Sequence, residues 1–126
     1  MRPARNYGSP PSLADVIHRA ADAVDPEGSN DGVWDFADRF ADNDEPVGAE
    51  PAFVEEQIAE IKGAIDPQDE DAQVTLAAAV ATYLTYRRTE IDRPPDELLR
   101  LATRAEFHGK PPEPVAEWLA EQGVAV

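Results

Sequence analysis

The segment from Ala72 to Tyr86, AQVTLAAAVATYLTY, carries no charged residue, and it constrains the fold more than any other part of the chain. With Gln73, Thr75, Thr82 and Thr85 among its residues, it falls short of the ~18 to 20 apolar residues of a membrane span. Wound as a helix it places Val74, Leu76, Ala77, Ala78, Val80, Ala81, Tyr83 and Leu84 nearly all round the cylinder. The pattern predicts a long, buried central helix, running on toward Glu90 and surrounded by others. Its alanines let those neighbours approach closely.

The flanking sequence supplies the neighbours. Ser12 with Asp15 reads as a capping box, and Leu13, Val16, Ile17, Ala20 and Val24 follow at helical spacing until Asp25-Pro26-Glu27-Gly28 breaks the run. One of Ser29, Asn30 or Asp31 caps a second helix with Val33, Phe36, Ala37 and Phe40 on its inner stripe and Trp34 beside it. Pro51 suits a first helical position ahead of Val54, Ile58, Ile61 and Ile65. Asp66-Pro67 ends that helix and is expected to cap the central one. After Pro94-Pro95, Leu98, Leu101, Ala102 and Ala105 mark a fifth helix stopped by Gly109, and Val115, Trp118 and Leu119 mark a short sixth stopped by Gly123. No stretch alternates with period two and no segment repeats.

The expected fold is therefore all-α, a compact single-domain bundle of five or six helices around a long apolar one. A chain of 126 residues fits one domain. Residues 1–11, with three prolines and a glycine, are expected to form a flexible N-terminal arm, and 12–126 the helical domain. The arm has two arginines but no apolar run, so it does not read as a secretory signal, and a cytoplasmic location is expected. Cysteine is absent, which removes disulfides and thiolate chemistry.

Charge is divided unevenly. The net charge of −15 is +2 over residues 1–14, −15 over 15–71, where 18 acids face three bases, and −2 over 72–126. The acid block repels nucleic acid and anionic lipid and attracts cations or basic proteins. The basic residues of the second half gather in sequence near Tyr83 and Tyr86 as Arg87, Arg88, Arg93, Arg100 and Arg104, either as an anchor surface or as partners for the acid block or Glu97. An acidic and a basic pole together would allow salt-sensitive self-association.

Catalytic signatures are missing. There is no phosphate-binding GxxxxGK[ST] or GxGxxG loop, and Ser9, Ser12 and Ser29 lie outside any GxSxG elbow. The two histidines, His18 and His108, have no paired zinc spacing; Asp15 and His18 form only half of one di-iron motif, and His108 suits a helix C-terminus. The loop Asp25 to Gly32 resembles the first half of a calcium loop, but Asn30 stands where glycine is needed and Phe36 where the bidentate glutamate belongs. The last two helices have roughly the spacing of a helix-turn-helix, yet the second presents Glu113, Glu117 and Glu121 to any phosphate.

The function expected from these features is that of a non-enzymatic acidic interaction module for a basic protein, without cofactor or bound metal. Its expected surface comprises Trp34, Asp35, Asp38, Asp42, Asp44 and Glu45, with Arg87, Arg88, Arg100 and Arg104 on the other pole. The alternative is a calcium- or magnesium-binding regulatory module, or a catalyst built on carboxylates.

Overall fold

The structure, a computed structural model, describes residues 12–40, 50–68 and 70–124, and these form six α-helices and no strand. They are α1 (Leu13–Val24), α2 (Asp31–Asp38), α3 (Pro51–Ile65), α4 (Ala72–Tyr86), α5 (Pro95–Phe107) and α6 (Glu113–Glu121), with a 3-10 turn at Arg88–Glu90. The expected arm and the segment 41–49 lie outside the described residues.

Each helix starts as its first residues dictate. Ser12 and Asp15 exchange backbone amides, Asp15 N donating to Ser12 Oγ at 3.1 Å and Ser12 N to Asp15 Oδ2 at 2.9 Å. Proline fills an early position of α3, α5 and α6, where the missing N–H costs nothing. α5 ends on His108 at φ 54° followed by Gly109 at φ 81°, a left-handed exit that reverses the chain toward α6.

α4 is the hub. It packs against α1, α2, α3, α5 and α6, and it buries Val74, Leu76, Ala77, Val80, Ala81 and Leu84 completely. Around it α5 lies against α1, α1 against α2 and α2 against α3, whereas α3 and α5 make no substantial contact with each other. The ring of helices is open on that side.

Three details differ from the sequence pattern. α4 stops at Tyr86, short of Glu90, because Ile91 turns inward to 4% exposure and the 3-10 turn delivers it there. α5 buries Leu98, Leu99, Ala102 and Thr103, leaving Leu101 half-buried and Ala105 exposed. Thr103 is admitted to the core because its hydroxyl donates to the Leu99 carbonyl at 2.7 Å, as Thr85 does to Ala81. Asp66 does not cap α4. It accepts from the amides of Glu70 and Asp71, and Asp71 itself caps α4 by accepting from Gln73 N at 3.0 Å and Val74 N at 3.1 Å.

A polar joint ties three helix ends together. Asp25, 2% exposed, accepts from Ser29 N and Ser29 Oγ at 3.1 Å, Asn30 N at 2.7 Å and the Trp34 indole at 2.8 Å. Asn30 caps α2 through Val33 N and donates from Nδ2 to Asp71 and to Gln73 Oε1. Gln73 in turn donates to the Val24 carbonyl at 2.8 Å, satisfying one of the open acceptors at the end of α1. Gly32 lets α2 come close: a Cβ there would lie 3.1 Å from Val74 Cγ2.

Burial works to raise the Asp25 pKa, but the hydrogen bonds, led by the Asn30 amide, outweigh it and hold the carboxyl below its ordinary value of 3.8. Its stabilisation is present above that value and is lost as the pH falls below it toward the native pKa. Asp25→Ala leaves four part-buried donors without their acceptor and is expected to lower the unfolding free energy by about 3 kcal/mol at neutral pH. The check is the urea midpoint, and the difference from the parent should narrow below about pH 4.

Candidate functional site

The expected surface on α2 is only partly available to a partner. Trp34 is half-buried, with its indole N–H committed to Asp25 and its ring edge-on to His18 at 5.6 Å between centroids. It is a structural residue of the joint, and its ring packs in part against the core. Asp35 and Asp38 are exposed, Asp35 in a solvent-open pair with Arg39 at 3.4 Å. Asp42, Asp44 and Glu45 lie outside the described residues.

The loop from Asp25 to Gly32 directs its best oxygen ligand inward, since both Asp25 oxygens already accept hydrogen bonds from the protein. Asp15 likewise accepts the Ser12 amide instead of facing His18 as a metal ligand would. Among the described residues no group of three or more histidine and carboxylate side chains is gathered for a metal ion.

The arginines are strung out along the fold. Arg87 ends α4, lies 5.8 Å from the centre of the Tyr83 ring and approaches Glu90 at 4.0 Å. Arg88 is exposed on the 3-10 turn, while Arg100 and Arg104 fall in the second and third turns of α5. Glu97 pairs with Arg93, so the expected Glu97–Arg100 pair does not form, and Arg100 Nε is buried without a hydrogen-bond partner. Arg93 also binds Glu90 at 2.6 Å, and that glutamate accepts the Tyr83 hydroxyl at 2.6 Å. The ion pairs of Arg87 and Arg93 are thus local, and neither reaches the acid block.

Phe53, 50% exposed, was not singled out by the sequence pattern, and it stands beside Tyr86, 53% exposed and already expected near the arginines. Both line one depression with Glu50 and Glu56. Phe53 stands off the Val54–Ile58 stripe of α3, which was the available signal, and Tyr86 ends the uncharged stretch. Its hydroxyl donates to Glu55 at 2.8 Å, which links α4 to α3 and raises the phenol's pKa.

From Tyr86 a cleft of about 240 Å³ runs along the open side of α4, with Ala79 and Thr82 on its floor, Glu55 on one wall and Glu106 on the other. A second hollow of about 170 Å³ shares those four residues and continues past Ala78 to Thr75, with Ile58 and Phe107 beside it. Glu106 stands on the surface, and Glu55 is half-buried and accepts the Tyr86 hydroxyl.

No family model, no curated protein and no solved structure matches the chain.

Burial first, and then the hydrogen bond to Glu90, push the Tyr83 phenol up to about 12. This stabilises the fold below the ordinary value of 10, and the stabilisation disappears as the pH rises from 10 to about 12. In a spectrophotometric titration Tyr83 should ionise after Tyr86. Glu90→Gln should lower its pKa, and a Tyr83 that titrates at its ordinary value in the parent would contradict the geometry.

Proposed function

We propose that this chain is a non-enzymatic protein-interaction module that engages a basic partner protein. The observation that carries the reading is the outer face of α3, where Phe53 stands beside Tyr86 with Glu50, Glu56 and Glu60 exposed around or along it. Carboxylates on an open face draw a cationic partner in over a range of about a Debye length, and aromatic side chains then supply contact area at low entropic cost. α2 extends the same sign of charge through Asp31, Asp35 and Asp38. An adaptor, an inhibitor that neutralises a basic protein, and a component of a larger assembly are the forms such a module takes.

The alternative of a cation-dependent module has less to support it, because Asp15, Asp25, Asp66 and Asp71 all spend carboxylate oxygens on backbone amides. No helix among the described residues is long and apolar enough to cross a membrane.

The test is affinity capture from the native cell at low and at high salt, with the parent and a Glu56→Gln, Glu60→Gln variant in parallel. A specific basic protein should be recovered at low salt, released at high salt and depleted severalfold by the variant. Equal recovery of general polycation-binding background by both would count against the proposal.

A further inference from the structure

Three depressions that share residues form one continuous groove along α4. The Phe53 depression meets the Glu55–Glu106 cleft at Tyr86, and that cleft meets the Thr75 hollow at Ala79 and Thr82. Its floor residues, Thr75, Ala79, Thr82 and Tyr86, recur every three or four positions, so they form one ridge of the central helix. From Thr75 to Tyr86 that ridge runs about 16 Å at 1.5 Å per residue, or three helical turns. α3 walls it along its length and α5 walls it except at the Phe53 end, and no residue of α6 lines it.

We infer that this groove is the seat of the partner, and that its occupant is a basic amphipathic helix of about three turns. The inference rests on the basic-partner reading and specifies its site. Shape argues for a helix: the cleft and hollow follow one ridge of α4 between α3 and α5, so a straight occupant with side chains at the same three- and four-residue spacing matches them. Ala105, exposed on the α5 wall, puts no long side chain in the way of such a helix, which would rest on Thr82 and Tyr86 above the buried Ala78 and Ala79.

Charge argues for a basic one. Glu55 and Glu106 line the groove from opposite walls, and Glu50 and Glu56 flank its Phe53 end, four carboxylates against the two bases Arg87 and Lys62. The fitting ligand therefore carries leucine- or alanine-sized side chains on one face and lysine or arginine along both edges of that face. Phe53 and Tyr86 would clasp its end.

The probe is a fluorescein-labelled 15-residue helical peptide with leucine and alanine on one face and lysine on both flanks. It is compared with a glutamate-flanked version and with a scrambled peptide of the same composition, using the full chain, anisotropy and amide NMR. The lysine peptide should bind at least tenfold more tightly than either control, weaken with salt, and shift Ala79, Thr82, Tyr86 and Ala105. Ala105→Trp, at an exposed position that leaves the core alone, should weaken binding at least tenfold, and Glu55→Gln with Glu106→Gln at least threefold.

Lysine-peptide binding that shifts Asp31, Asp35 and Asp38 instead and ignores Ala105→Trp overturns the groove while leaving a basic partner standing. A lysine peptide that binds no better than the glutamate peptide overturns both. Equal binding of the lysine and scrambled peptides overturns the helical occupant. A dimer in light scattering that Ala105→Trp converts to monomer places a second copy in the groove and overturns the partner helix.

Discussion

The architecture depends on how the end of α1 is joined to the starts of α2 and α4. A helix start leaves amides open and a helix end leaves carbonyls open, and an interior location makes each unpaired group costly. Asp25, Asn30, Asp71 and Gln73 form a chain of hydrogen bonds that satisfies groups at all three ends. Once α1 and α2 are fixed on α4 in this way, the apolar positions of all three face one another. Leu13, Ile17, Phe36, Val33 and Leu76 are then buried without further polar adjustment.

α4 brings a different constraint. Having no charged face, it must be enclosed on most sides, yet α3 and α5 leave one side of it partly uncovered. The residues on that side are the ones that tolerate it: Thr75, Thr82 and Tyr83 are half-buried and polar at their tips, and Ala78 and Ala79 expose little area. The gap is consistent with a folded monomer because its cost in exposed apolar surface is small.

How much of this was legible in the sequence depends on the kind of signal. The helices, the central place of Ala72 to Tyr86 and the cap at Ser12 follow from local rules about spacing and unpaired amides, which also narrow the cap of α2 to Ser29, Asn30 or Asp31, of which Asn30 serves. Thr103 could not be placed inward by such rules, because a hydroxyl bonded to its own helix behaves as an apolar group and hydropathy scores it as polar. The bond from Trp34 to Asp25 could not be read from such rules either, because the acceptor lies nine residues away across a loop break. The groove was invisible for a stronger reason: it is made by two helices failing to meet, and a sequence pattern records which faces are apolar, not which neighbours are missing. Phe53, apolar on an outward face, was its only local trace.

The polar joint also bears on the charge of the molecule as a partner would sense it. Each helix start carries about half a positive charge and each helix end about half a negative one. Asp15, Asp25, Asp66 and Asp71 lie against such starts or against backbone amides of the turns. Part of the acidity of residues 15–71 is therefore internal compensation, set against the protein's own dipoles and sending little field into the solvent. The outward field comes instead from carboxylates with no such duty, chiefly those along α2 and α3, so the net formal charge overstates the molecule's reach and understates its directionality.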